Sequence, residues 1–192
     1  MKIMIVILTS ILLAFGAATS SAADFTADMT ISTPGEKDTQ GKVYMQGNKM
    51  RMEMAGEDDE KAITITRPDK KVVWTLMLEE KVYMEQSYQA EARMQEWTPQ
   101  QESQSKLIGN EKVSGLDCKK YQVKGKQAFY WISEQINFPV KAQDPEGTML
   151  LKNIRLEKVS GDLFEVPPGF EKVSMPGMGG MPPGLPGVPK GR

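Results

Sequence analysis

Over two long stretches, residues 24–86 and 106–159, the chain is written as short alternating segments divided by tight turns. That alternation restricts the fold more than any other feature. Phe25, Ala27, Met29 and Ile31 interleave with Thr26, Asp28, Thr30 and Ser32, the period of a half-buried strand, and Pro34-Gly35 closes the segment. "KVYMQGNKMRMEM" (42–54) follows as a hairpin about Gly47-Asn48. Val43 and Met45 share one face of its first arm. Met50, Met52 and Met54 share one face of the second, with Lys49, Arg51 and Glu53 on the other. "AITITRPDKKVVWTLML" sets two apolar stretches about a turn at Arg67-Pro68-Asp69-Lys70, where Pro68 presets the backbone angle, and "EEKVYMEQ" adds a strand.

Residues 87–97, "SYQAEARMQEW", change period and favour helix, which Thr98-Pro99 is expected to end. Strands resume in "KLIGNEKVSGLDCKKYQV", with turns expected at Gly109-Asn110 and Ser114-Gly115, and continue through "QAFYWISE", "FPVKAQD" and "GTMLLKNIRLEKV". Short strands, short polar turns and one polar face read as an antiparallel series whose apolar face must be buried. The expected fold is therefore mainly β with minor α: a curved antiparallel sheet forming a partly open barrel, with one short helix as partial cover.

The two ends differ from this middle. Met1-Lys2, an apolar run over 3–18 and the small residues Ser20-Ser21-Ala22-Ala23 read as a signal peptide, 1–23. The apolar run is short for a membrane span of about 20 residues, so no stable membrane insertion is expected. Residues 24–173 form the expected β domain. Residues 174–192, "SMPGMGGMPPGLPGVPKGR", are read as a disordered Met/Pro/Gly-rich tail. An exported protein follows, in the periplasm of a Gram-negative-type bacterium, with secretion as the alternative.

Composition removes several chemistries. With no histidine, Ser-His-Asp catalysis, Cys-His catalysis and the usual zinc centres fall away, so neither an enzyme nor a cofactor is expected. Cys118 is the only cysteine, which rules out an internal disulfide and suits a small buried hydrophobe. A balance of 24 basic against 25 acidic side chains gives no footprint for nucleic acid.

The order of segments, from "FTADMTIS" and "GKVYMQGNKMRMEM" through "RPDKK", "GLDCKKY" and "FEVPPGF", resembles small exported bacterial proteins of unknown function grouped with the LolA-like lipoprotein-carrier superfamily. The resemblance implies an unclosed antiparallel barrel with helices over its mouth, enclosing an apolar cavity that takes acyl chains, other lipids or stress-signal ligands of the envelope. The carrier proper opens on a long helix, whereas this chain passes from its leader almost directly into a strand.

The candidate site is an apolar wall of Met29, Ile31, Val43, Met45, Met50, Met52, Met54, Ile63, Ile65, Trp74 and Leu76, continued by Phe25. Three uses of its methionines stand side by side. They could fill a core, or line a cavity for a lipid or acylated ligand, since flexible thioethers adapt to varied shapes. Thioethers also suit Cu(I), for which Met175, Met178 and Met181 in the tail are the better placed. The four acids at 57–60 read as a solvated loop. Phe129, Tyr130 and Trp131 are consecutive, so one of them must face away from the others and needs cover. The expected function is non-catalytic binding of a hydrophobic ligand in the envelope, with Cu(I) handling or a structural or sensory role with a self-filled core as alternatives. An envelope protein partner remains open.

Overall fold

A computed structural model of the chain describes residues 23–55, 61–88, 97–136 and 138–174. Strands β1 (Phe25–Ser32), β2 (Thr39–Gln46), β3 (Lys49–Ala55), β4 (Lys61–Arg67), β5 (Val72–Met77) and β6 (Val82–Ser87) form one meander. Helix α1 (Pro99–Ser103) precedes a second meander of β7 (Ser105–Val113), β8 (Leu116–Val123), β9 (Phe129–Ser133), β10 (Phe138–Asp144) and β11 (Gly147–Leu156). A 3-10 turn, Gly161–Phe164, and the two-residue β12 (Glu171–Lys172) complete the described chain.

All twelve strands lie in one sheet, ordered β12-β6-β5-β4-β3-β2-β1-β11-β10-β9-β8-β7. Pairing of β1 with β11 joins the two meanders, and every neighbour pair is antiparallel except β12 with β6. Among the described residues the expected mainly-β architecture, a curved and open antiparallel sheet with one short helix, is the one found. Curvature shows in the rings of Phe25 and Phe138, 5.9 Å apart although β11 separates their strands. In a flat sheet that separation would be about 9.6 Å.

Each face of the sheet carries its own core. On the inner face Phe25, Met29, Val43, Met45 and Met50 pack with Cys118, Trp131, Phe138, Val140 and Leu151. On the outer face Ile63, Ile65, Trp74 and Leu76 lie beneath Val159 and Phe164. The segment from 159 to 170 is thus a strap across the back of β3–β5. Two arginines bind it to the sheet. Arg51 Nη1 donates to the Leu163 carbonyl at 3.1 Å, and Arg67 Nη1 donates to the Phe164 carbonyl at 2.9 Å and to Glu165 at 2.5 Å. The far end of Arg67 is held in turn by Asp69, at 2.8 and 2.7 Å.

Two local expectations are corrected. Thr98-Pro99 starts a helix instead of ending one: Thr98 caps α1, Pro99 stands in its first turn, and Gln101 returns its side chain to the Thr98 N–H. Proline has no amide to lose at that position, and Thr-x-x-Gln is a capping box. Of the helix expected over 87–97, residues 89–96 lie outside the described residues. Gly109-Asn110 is no turn either. The register slips between Leu107 and Gly109, so an extra residue is accommodated as a bulge inside edge strand β7.

Gly41 sits on the inner face opposite Met54. A Cβ built there would meet the Glu53 carbonyl oxygen at 2.5 Å and Met54 Sδ at 2.5 Å. The thioether can swing away, but the carbonyl belongs to the β2–β3 ladder. Gly41→Ala is therefore expected to cost about 1–3 kcal/mol, the range for forced overpacking, measured by urea unfolding. An unchanged midpoint would contradict the close approach.

Candidate functional site: a methionine-bearing sheet face

Because β2–β6 pair without irregularity, their registers fix which side chains share a face. Three rows cross the inner side. One runs Met45–Met50–Thr66–Val73–Gln86, the next Val43–Met52–Thr64–Thr75–Met84, and the third Gly41–Met54–Ala62–Met77–Val82. Successive rows are about 6.8 Å apart along the strands, and each spans about 19 Å across five strands.

Burial falls from one row to the next. In the first, Met45, Met50, Thr66 and Val73 are all buried, with Met50 only 2% exposed, and Met45 and Met50 belong to the inner core. In the second, Val43 is buried but Met52, Thr64, Thr75 and Met84 are half-buried. In the third, Met54, Met77 and Val82 are half-buried and Ala62 is exposed. Four methionines from three strands thus line an accessible apolar surface graded into a packed core: Met52 and Met54 on β3, Met77 on β5 and Met84 on β6, with β4 between them. Met52 and Met54 also touch that core from its edge.

The structure divides the wall expected from sequence. Met29, Val43, Met45, Met50, Met52 and Met54 share the inner core or its margin, with Ile31 on the same face of β1 and half-buried. Ile63, Ile65, Trp74 and Leu76 do not join them. Ile65 pairs with Arg51 and Ile63 with Glu53, which places both isoleucines on the outer face, and Trp74 and Leu76 follow through their pairing with β4. There the strap covers them. Met77 and Met84 take their place on the inner face. A signal for this lay in "VVWTLM", apolar in both phases, the mark of a strand buried on two sides. Met175, Met178 and Met181 lie outside the described residues, as do the acids at 57–60.

The remaining candidates resolve simply. Cys118 is buried in the inner core, and burial raises its thiol pKa. Phe129 and Trp131 turn to the inner core, while Tyr130 turns away and is covered by Trp97. Among the described residues no group of three or more carboxylate or thiol side chains is placed to hold a metal ion. No described helix is long and apolar enough to cross a membrane. Two recesses lie on the second meander, away from the methionine rows. One of about 380 Å³ is lined by Glu111, Lys119, Ser133 and Glu134 among others, and one of about 280 Å³ by Trp97, Lys126 and Tyr130 among others.

Solved structures share this architecture at low sequence identity. An uncharacterized conserved protein from Thermus thermophilus superposes with a TM-score of 0.55 at 13% identity, over 79% of this chain and 90% of that one. PNGF-II matches at 0.50 and 12% identity, over 79% of this chain but 30% of its own. A LolA superfamily protein from Nitrosomonas europaea is also among the similar structures, at 0.39 and 10%, over 75% of this chain and 90% of its own. No curated protein matches the chain. Residues 26–137, more than half the chain and all of the methionine-bearing strands β2–β6, match one family model, and the chain is a member of that family, DUF4412, a domain of unknown function.

Proposed function

We propose that the protein is a non-catalytic carrier of a lipid or acylated hydrophobic ligand in the cell envelope, and that the ligand lies along the methionine rows of β3–β6. The supporting observation is the graded burial of Met52, Met54, Met77 and Met84, which leaves unbranched, rotatable thioethers on a face about as long as an extended acyl chain. Apolar burial supplies about 0.8 kcal/mol per methylene before the cost of association. Thr64 and Thr75 add hydroxyls at mid-face and Gln86 an amide at the β6 end, with no charged group in the three rows, so the surface selects for greasiness more than for a headgroup.

A self-filled core is the second reading, favoured by the packing of Met45 and Met50. Native mass spectrometry of gently purified protein separates the two. The carrier retains lipid, or takes up added long-chain lysophospholipid, and a Met54→Asp/Met77→Asp variant loses at least about tenfold in affinity. A bare protein mass with no uptake of the probe sinks the carrier reading.

A further inference from the structure

Each of the three tryptophans is buried, and two of the indole N–H groups are satisfied in the same manner. Trp74 Nε1 donates to one oxygen of Glu85 at 3.0 Å, and Lys172 Nζ donates to the other at 2.7 Å. Trp131 Nε1 donates to one oxygen of Glu111 at 2.6 Å, and Lys120 Nζ donates to the other at 2.9 Å. Twice, in separate parts of the sheet, an indole and an ammonium share one carboxylate. Trp97 is the exception. It is 8% exposed, and its Nε1 has no partner among the described residues.

Trp97 lines the recess of about 280 Å³ formed where α1, the start of β7, the β8–β9 turn and the end of β10 converge. Lys126 lines the same recess, and its ammonium forms no ion pair with any described carboxylate. Val123, Ala128 and Tyr130 supply apolar surface, with Tyr130 packed on Trp97 at 5.6 Å between ring centroids. Burial, reinforced by Asp144, raises the Tyr130 pKa, so its hydroxyl keeps a proton to donate. Asp144 is the one acid lining the recess, and it is engaged by the amides of Glu146 and Gly147 at 2.8 and 3.0 Å.

We propose that this recess binds a small organic carboxylate, which completes with Trp97 and Lys126 the arrangement that Glu85 and Glu111 complete elsewhere. The donors are an indole, an ammonium and a phenol, so the ligand must bring acceptors, and a charged acceptor is the strongest match. Its apolar body lies against Val123, Ala128 and Tyr130. The site belongs to the second meander and stands or falls independently of the methionine rows.

The three indole resonances of a ¹H–¹⁵N spectrum test this with two internal controls. Titration of the full chain with sodium benzoate, against sodium chloride and neutral benzamide, is expected to shift the Trp97 indole saturably and leave Trp74 and Trp131 in place. Lys126→Gln, at an exposed position, is expected to weaken the effect about tenfold with the two control resonances unmoved. A Trp97 resonance that does not respond, that responds equally to benzamide, or that moves together with the other two overturns the proposal.

Discussion

Replacing Phe164 with alanine is expected to lower folding stability by about 3–5 kcal/mol, the usual range for truncating a fully buried aromatic ring. Phe164 is 0% exposed and is the central side chain of the strap, set over Ile63, Ile65, Trp74 and Leu76. Its removal leaves a void that the strands below cannot fill, because they are held in register on both sides. Hydrogen exchange should rise first in the 159–170 segment and in β4–β5, while the inner core around Leu151 keeps its protection. A loss under about 1 kcal/mol would mean that the strap is an ornament on the sheet and that the outer face has no core of its own.

Arg67→Ala attacks the same strap through its polar anchor and should cost about 2–4 kcal/mol. Losing the guanidinium strands the Phe164 carbonyl, at about 1–3 kcal/mol for a buried group. It also frees Asp69 and Glu165, whose share is reduced by their exposure to solvent. Arg67→Lys should recover only part of this, since one ammonium cannot reproduce a bidentate hold on Asp69 together with the contacts to the strap. The pH dependence has a fixed sign. The hydrogen bond from Arg67 lowers the Asp69 pKa from 3.8 to about 2, against a smaller opposing effect of burial. Its stabilising contribution is therefore complete above about pH 4 and fades as pH falls toward 2. Asp69→Asn should flatten that acid limb of the unfolding midpoint. An equally steep limb in the variant would place the sensitivity in other carboxylates.

These two effects bear on how the sequence is to be read. Strands, turns and the curved antiparallel sheet were legible because period-two alternation and Pro-Gly, Gly-Asn and Arg-Pro-Asp-Lys turns are local signals. The faces were less legible. Apolar residues fall on even positions in β3, at Met50, Met52 and Met54, and on odd positions in β4, at Ile63 and Ile65. Only the register, which pairs Met52 with Thr64 and Arg51 with Ile65, reveals that the apolar phase changes sides between them. That change is tolerated because the outer face is covered by the strap, a long-range partner that no local pattern announces. Thr98 and Pro99 show the same limit in small. Their pairing is a helix boundary in either direction, and Gln101, three residues on, decides it.

The half-buried methionines carry the functional claim, and their methyl groups report on it directly. With methionine methyls labelled by ¹³C, addition of long-chain lysophospholipid below its micelle concentration should shift Met52, Met54, Met77 and Met84 saturably. Met45 and Met50, packed into the inner core, should move little. Shifts confined to other methionines, or none at all, would contradict the assignment of this face as the ligand surface.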